Sequence, residues 1–187
     1  MRCYEYIDKR LEDPTCVALG TFDGVHRGHA AVIRTAVKYA RMYGYTPAVF
    51  TFKNIPKNFF LPENERIQPL CTLRQKAALI SELGVEVFFA VEFDGEFSKI
   101  SPEAFVKDYI IGKLNAKHIV CGYDYRFGAG AAGDVDTLIK LCQDCGVIVT
   151  VLPPVTVDGK KISSSFIRSL IYEGRRAEAM DYAGHEL

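Results

Sequence analysis

The sequence predicts an α/β fold in which a parallel sheet is flanked by helices. Short, nearly continuous apolar runs typical of buried strands alternate with segments whose apolar residues have helical spacing. These strand and helix units repeat along the chain, as they do in parallel sheets built from βα units. No repeat, linker or low-complexity stretch divides the 187 residues, so residues 1–187 are expected to form a single domain.

The first half of the chain is predicted to hold three strands and two helices. The first helix has apolar residues on one face, and Gly84 is expected to end the second. A loop with Pro and Asn residues separates the second strand from the second helix and extends to about Pro69. The predicted elements are, in order, a strand over 16–19, a helix over 30–43, a strand over 47–52, a helix over 73–83 and a strand over 85–91.

The second half continues the alternation. Ser101 followed by Pro102 is typical of a helix start, with serine as the N-cap and proline at the first helical position. A hairpin turn is predicted at Asp158-Gly159, before a last helix that begins near residue 163. Ligands of such sheets gather beyond the carboxyl ends of the strands. The other predicted elements are a helix over 102–114, a strand over 116–121, a helix over 135–145 and a strand over 147–152.

Charge and hydropathy exclude several classes of protein. The formal net charge is +0, so the chain lacks the basic character of a nucleic-acid or anionic-membrane binder. No apolar run approaches the roughly 20 residues needed to span a bilayer. The N-terminus also lacks the basic-then-apolar layout of a signal peptide, and a cytoplasmic location is expected.

The six cysteines are scattered through apolar segments without the spacing of a disulfide framework. Cys142 and Cys145 form a C-x-x-C pair, for which redox chemistry or half of a metal site are the functional interpretations. The pair stands at the predicted C-terminal end of a helix, whereas reactive thiolates are favoured at helix N-termini. Ordinary structural cysteines are therefore the preferred interpretation.

The most informative stretch is Thr21 to His29, which follows the first strand and opens the first helix. Backbone N–H groups at a helix start lack intrahelical partners and attract anions, and glycine lets a phosphate approach the main chain closely. His26 and His29, three residues apart, would face the same anion. The alternatives are a zinc pair, which lacks a nearby third ligand in sequence, or a helix cap that happens to contain histidine.

A second stretch, residues 120–134, leaves a strand and enters a glycine-rich loop. Its aromatic rings could stack on a planar ligand, and Arg126 could attract a phosphate. The alternative is a plain turn in which Asp124 caps backbone N–H groups.

A third stretch, Ile162 to Arg168, carries three consecutive serines at a predicted helix start. Serine hydroxyls there either cap the helix or donate to phosphate. Arg168 lies about one turn beyond the serines, where its guanidinium could pair bidentately with the same anion. A cap explains one serine but not all three together with Arg168.

These stretches, in this order, resemble the nucleotidylyltransferase superfamily. Residues 20–29 read G-T-F-D-G-V-H-R-G-H, and the later stretches fit the patterns G-x-[DN]-[FY]-x-F-G and I-S-S-[TS]-x-I-R. The combination resembles the N-terminal FMN adenylyltransferase domain of the bacterial bifunctional riboflavin kinase/FMN adenylyltransferases, the FAD synthetase family. The resemblance implies a Rossmann-like, doubly wound parallel sheet of the H-x-G-H type. It also implies ATP and FMN as substrates, with Mg²⁺ bridging phosphate oxygens.

The resemblance further implies roles for individual residues, without identifying metal ligands. Residues expected to hold the reacting phosphates are His26, His29, Ser163, Ser164 and Arg168. Residues expected to line the ATP site are Gly20, Thr21, Phe22, Asp23, Gly24, Gly28 and Ser165. Residues expected to contact the flavin are Phe60, Asp124, Arg126 and Phe127.

The chain departs from the family pattern in two places. Where the family commonly has T-F-x-P-H-P, residues 51–56 place Ile55 at the histidine position. The chain also stops at Leu187, about where a riboflavin kinase barrel would begin, so no riboflavin kinase activity is expected and a kinase domain outside this chain is a candidate partner. Two rival functions stay open: transfer of a nucleotide to another phosphorylated acceptor, and a flavin- or ATP-binding module without turnover.

Overall fold

A computed structural model describes residues 1–6 and 9–187 and contains a six-stranded parallel sheet. The spatial order of its strands is β1-β4-β3-β2-β5-β6. Strands β3 and β4 therefore follow β2 on one side of it, and β5 and β6 lie on its other side. The strands are β1 (Arg2–Tyr4), β2 (Thr15–Leu19), β3 (Thr46–Phe52), β4 (Val87–Val91), β5 (Ala116–Gly122) and β6 (Ile148–Leu152).

Helices cover both faces of this sheet. Alternate residues of β2 show the two-sided core: Cys16 and Ala18 pack in one apolar cluster with α1, and Val17 and Leu19 pack in the other with the helical segment before β5. The helices are α1 (Arg27–Tyr43), α2 (Leu73–Glu82), α3 (Pro102–Ala104, continued as a π-helix over Phe105–Lys113), α4 (Val135–Gln143), α5 (Ser164–Tyr172) and α6 (Arg176–Ala183). The predicted doubly wound α/β class is confirmed.

A third apolar cluster holds the C-terminal helices beside the sheet. Ile162 and Ile167 pack against Tyr182 and Ala183, which brings the N-terminus of α5 near the start of α1. A short antiparallel hairpin, β7 (Thr156–Val157) and β8 (Lys160–Lys161), leads into α5 and turns at Asp158-Gly159 as predicted.

The predicted boundaries differ from the observed ones in physically understandable ways. Helix α1 begins at Arg27 rather than at residue 30, because the His26 side chain caps it by accepting from the His29 N–H. The segment after Ala104 is π-helical, and the Leu114 N–H bonds to the Tyr109 carbonyl five residues back. Helix α4 ends at Gln143, before Cys145.

Strand β1 was not predicted, because three residues with an exposed or half-buried pattern carry no periodic signal. It lies at the edge of the sheet and pairs with β4 alone. No helix within residues 1–6 and 9–187 has both the length and the apolar character that crossing a bilayer requires.

Candidate active site

A cavity of about 870 Å³ opens at the carboxyl ends of the central strands. It lies at the switch point of the sheet, where β2 and β5 are neighbours but their chains continue in opposite directions. All but three of the residues predicted for the site line this cavity: Gly20, Thr21, Phe22, His26, Gly28, His29, Phe60, Asp124, Arg126, Phe127, Ser163, Ser164 and Ser165. The exceptions are Asp23, Gly24 and Arg168, which stand behind the lining.

The two histidines of the H-x-G-H stretch stack face to face at the start of α1. Their ring centroids are 3.6 Å apart and the rings are inclined by 14°. The backbone N–H of His29 donates to Nδ1 of His26 at 3.2 Å. Because that nitrogen accepts, the neutral His26 ring carries its proton on Nε2, which is left to donate to a ligand.

Both rings are neutral at pH 7. Burial lowers the pKa of His26 to about 4. Burial, followed by the charges of His26 and Lys76, lowers the pKa of His29 well below its usual 6.5. Nδ1 of His29 is buried and has no hydrogen-bond partner among the described residues.

The turn between β2 and α1 is folded tightly around the buried ring of Phe22. Phe22 has a left-handed backbone, with φ of 48°, and its ring meets the His29 ring edge-on at 5.4 Å. A Cβ at Gly20 would come within 2.8 Å of this ring, and a Cβ at Gly24 would come within 2.8 Å of Leu70. Gly24 also has φ of 75°, so glycine is required there for two independent reasons.

Lys76 of α2 is a member of the site's framework that sequence reasoning missed. Its side chain is buried, and Nζ donates to the carbonyl oxygens of Thr21 at 3.0 Å and Phe52 at 2.9 Å. Burial lowers the pKa of this lysine. One feature of the sequence could have revealed its role: Lys76 is a charged residue on the apolar face of a predicted helix, between Leu73 and Ile80.

Asp23 ties the turn to α5 and to the loop before α2. Its buried carboxylate pairs with Arg168 and accepts from the Leu70 N–H at 3.0 Å. Arg168 Nε also donates to the Gln68 carbonyl at 2.9 Å, and the Ser164 hydroxyl donates to the Asp23 carbonyl at 3.0 Å. Nη2 and Nε of Arg168 are therefore engaged within the protein, and the residue is outside the cavity lining in which its phosphate contact was predicted.

The consecutive serines have different surroundings. Ser163 is the N-cap of α5, because its hydroxyl accepts from the Phe166 N–H at 3.2 Å. Ser164 bonds to Asp23 as described, and Ser165 is exposed at the cavity wall. The cap that was weighed as the alternative is thus present for Ser163, and all three serines line the cavity.

Lys161 of β8 reaches across the cavity to the loop after β5. Its Nζ pairs with Asp124 Oδ2 at 3.0 Å, bonds to the Tyr123 hydroxyl and lies 4.7 Å from the Tyr123 ring centroid. Hydrogen bonds to Tyr123 and Asp124 raise the pKa of Lys161. Sequence reasoning missed this cation, although it stands two residues before the serines.

Aromatic side chains form a large part of the cavity lining, and this set is named here the aromatic chamber. Phe93 is central to it, with ring centroids 5.5 Å from Phe52, 6.0 Å from Phe60 and 5.8 Å from Phe97. Such contacts suit a flat aromatic ligand. The chamber consists of Phe52, Phe60, Phe93, Phe97, Phe105, Tyr125 and Phe127.

Arg126 stands at the chamber's rim and is weakly held. Its guanidinium lies 3.7 Å from Asp134, and both side chains are exposed. It is therefore available to a ligand phosphate.

Within residues 1–6 and 9–187, no three His, Cys, Asp or Glu side chains converge as a metal site would require. Among the described residues that line the cavity, Asp124 is the only one with a carboxylate side chain.

The two cysteines of the C-x-x-C pair differ in their surroundings. Cys142 is buried and Cys145 is exposed, and both thiols are free.

The C-terminal segment also reaches the turn between β2 and α1. Nε2 of His185 lies 2.8 Å from the Gly24 carbonyl oxygen, and a carbonyl can only accept, so the ring donates. The segment after α6 is thereby joined to the same turn as Asp23 and Arg168.

A doubly wound parallel sheet with a histidine pair at the first helix after its central strand defines an α/β nucleotidylyltransferase of the H-x-G-H type. The chain belongs to the FAD synthetase family, whose profile matches residues 8–166.

Named relatives support this assignment. The chain is 38% identical over 169 residues to a bifunctional riboflavin kinase/FMN adenylyltransferase of Listeria monocytogenes, covering 90% of this chain and 53% of the relative. It is 37% identical to the Bacillus subtilis protein of the same name over 90% of this chain and 53% of the relative. A Listeria monocytogenes FAD synthetase is 34% identical, over 90% of this chain and 68% of the relative. The chain spans about half the length of the bifunctional relatives.

Solved structures share the fold. A Streptococcus pneumoniae structure titled as a macrolide-efflux protein superposes with a TM-score of 0.86 at 31% identity, covering 95% of this chain and 57% of that one. Pantothenate synthetase from Thermus thermophilus superposes with a TM-score of 0.56 at 16% identity, covering 98% of this chain and 81% of that one. The second likeness concerns the fold alone.

Proposed function

We propose that the chain is an FMN adenylyltransferase, which transfers AMP from ATP to FMN and gives FAD and pyrophosphate. One observation carries the proposal: the stacked, neutral histidine pair and the aromatic chamber face the same cavity. A polyphosphate and a flat ring system can thus be bound side by side, as adenylyl transfer to a flavin phosphate requires. Membership of the FAD synthetase family supports the same reaction.

In the proposed reaction an oxygen of the FMN phosphate attacks the α-phosphorus of ATP in line. The new P–O bond forms while the bond from the α-phosphorus to the β-bridging oxygen breaks, and pyrophosphate leaves with that electron pair. The attacking oxygen is already ionised, so no general base is needed. The protein's part is positioning and stabilisation of charge.

His26 and His29 are proposed to donate hydrogen bonds to phosphate oxygens near the α-phosphorus. Donors that are fixed before the reaction stabilise developing charge without having to reorganise. The stack fixes both rings, and the Nε2 proton of His26 is held by the bond that Nδ1 accepts from the His29 main chain.

The start of α5 is proposed to hold the leaving pyrophosphate. The donors are Ser165, the Ser163 hydroxyl and the backbone N–H groups of the first turn. The Ser164 hydroxyl would join them by releasing the Asp23 carbonyl. Lys161 is within the same wall and could exchange Asp124 for a phosphate oxygen. Arg168 is proposed to act mainly through Asp23, by keeping α5 against the turn.

The flavin is proposed to occupy the aromatic chamber. Phe60 and Phe127 would contact the isoalloxazine, and Arg126 and Asp124 stand where the chamber meets the polar half. Ile55 lies outside the cavity lining, directly before the turn Pro56–Phe59, and the proposed roles are assigned to other residues.

Mg²⁺ is proposed as the metal cofactor. The donor set fits a cation held mainly by substrate phosphates, as Mg²⁺ often is, because Asp124 is the carboxylate that faces the cavity. When bound, Mg²⁺ would neutralise phosphate charge. The proposed setting is the cytoplasm, and a riboflavin kinase domain, named in the bifunctional relatives, is the proposed source of FMN.

The test is incubation of the purified chain with ATP, Mg²⁺ and FMN, with FAD followed by chromatography. A parallel tube holds riboflavin in place of FMN, and another holds FMN with the His29→Ala variant. FAD formed from FMN but not from riboflavin supports the proposal. Tight binding of FMN and ATP without FAD would favour a binding module instead.

A further inference from the structure

The side chain of Asn54 makes two reciprocal hydrogen bonds with the main chain of Phe93. Nδ2 donates to the Phe93 carbonyl oxygen at 2.9 Å, and Oδ1 accepts from the Phe93 N–H at 2.9 Å. Within residues 1–6 and 9–187, Asn54 is the only residue that forms hydrogen bonds with the main chain of Phe93.

These bonds stand where the sheet ends. The pairing of β3 with β4 reaches Phe52 and Val91, and one further backbone bond joins the Lys53 N–H to the Val91 carbonyl at 2.9 Å. Beyond it the two chains separate, one toward Phe59 and Phe60 and the other toward the turn at Phe97. The Asn54 amide extends the ladder by one step, because it offers a donor and an acceptor as a peptide group does.

The residue held in this way is the centre of the aromatic chamber. The Phe93 ring contacts four other phenylalanine rings at centroid distances of 5.5 to 6.0 Å, and Phe60 among them is 65% exposed. Phe52, Phe60 and Phe97 line the cavity with Phe93, so a shift of the Phe93 backbone would displace several rings of the chamber together.

We infer that Asn54 is a positioning residue for the flavin: it fixes Phe93 and thereby sets the shape of the aromatic chamber. The inference rests on the proposed function, because it takes the flavin as the occupant of the chamber. Asn54 is not proposed to contact ATP, because the turn before α1 and the start of α5 are held by Lys76, Asp23 and Arg168. Asn54 therefore acts on flavin affinity and not on nucleotide affinity.

The test uses Asn54→Ala, which removes both bonds, and Asn54→Asp, which has nearly the same volume but sets a carboxylate oxygen against the Phe93 carbonyl. Asn115→Gly is the matched control. The Asn115 amide also bonds to a distant main chain, at Leu11 and Glu12, but at the amino end of the sheet, and glycine accommodates its φ of 51°. Thermal unfolding is recorded for every variant.

Two quantities are measured: the Kd of riboflavin from flavin fluorescence, and the KM values of FMN and ATP in FAD formation. Both Asn54 variants should raise the riboflavin Kd and the FMN KM about tenfold and leave the ATP KM within about twofold, given the net worth of two hydrogen bonds. Asn115→Gly should leave all three values unchanged, even if it lowers the unfolding temperature as much.

Equal rises of the FMN and ATP KM values, or no rise in either, would overturn the role of Asn54. Riboflavin binding needs no turnover, so it separates this inference from the proposed reaction. A wild-type chain that binds riboflavin but makes no FAD refutes the reaction, and the Asn54 variants still decide the inference. A wild-type chain that binds no flavin overturns both.

Discussion

His29 is the single residue whose removal should affect turnover most. His29→Ala is expected to lower kcat on the order of 10²-fold or more, by analogy with the loss of one oxyanion donor. His26→Asn serves as a companion variant, because asparagine can still cap α1 while it lacks the Nε2 donor. Steady-state kinetics together with unfolding curves measure both. A His29→Ala protein that folds and keeps its kcat would refute the role.

Burial of the same two rings predicts a pH dependence of stability. The pKa of His26 is lowered to about 4 when folded, so between pH 4 and 6.5 the unfolded chain binds more protons than the folded chain. The free energy of unfolding should therefore fall as the pH is lowered through this window, by at most about 1.4 kcal/mol per pH unit for each buried ring. Urea titrations at pH 4.5, 5.5 and 7 test this. His26→Asn should have a flatter profile, and an equal slope would contradict the assignment.

Substitution of Lys76 tests whether this residue supports the structure of the site without taking part in the reaction. Lys76→Met keeps the buried aliphatic stem but leaves the carbonyl oxygens of Thr21 and Phe52 without this donor. An unfolding free energy lower by about 1–3 kcal/mol is expected, together with a raised KM for ATP because the turn loosens. Lys38→Met, on the exposed face of α1, is the control and should change neither value. Wild-type values for Lys76→Met would show that the bonds contribute nothing.

Between elements, the Asp23–Arg168 pair is expected to hold α5 against the turn before α1. Arg168→Met leaves a buried carboxylate without its cation and should destabilise the fold by about 3–5 kcal/mol, and Asp23→Asn combined with Arg168→Met should recover part of that loss. Chemical unfolding of the two single variants and the double variant measures the coupling. Normal stability of Arg168→Met with a raised KM for ATP or pyrophosphate would favour a direct phosphate contact instead.

At this scale the sequence predicted most elements, because buried parallel strands and amphipathic helices have strong periodic signals. It missed β1, whose three residues are too few for a period, and the π-helical segment before Leu114. It also could not foresee the partners of Arg168. Spacing within α5 shows that Arg168 is near the serines, but not that Asp23, 145 residues earlier in the chain, takes its guanidinium.

For the molecule as a whole, both proposed substrates should stabilise the fold by mass action. FMN at about 100 times its Kd should add about 2.7 kcal/mol to the free energy of unfolding. Chelation of Mg²⁺ with EDTA should abolish FAD formation and weaken the stabilisation by ATP, while the stabilisation by FMN persists, because the chamber that holds the ring system is apolar. Calorimetric scans with each substrate, with and without EDTA, test this. Loss of the FMN effect in EDTA would contradict a metal-independent flavin site.

The whole cavity was predictable only in outline. The ordered motifs indicated both of its halves, since they follow β2 and β5, which are neighbours at the switch point. The places of Lys76, Lys161, Phe93 and Phe97 in the site were not foreseen, because each contributes through contacts with residues that are distant in the chain. Asn54 belongs to the same group, since its role depends on where the separate chain around Phe93 lies.

The bond between His185 and the Gly24 carbonyl has a practical consequence for handling the protein. Any segment joined directly after Leu187 would begin two residues beyond an imidazole that contacts the turn between β2 and α1. Strain from such a junction would be transmitted to the turn that precedes the stacked histidines. Kinetic work is therefore better done with a purification tag at the other terminus or cleaved away.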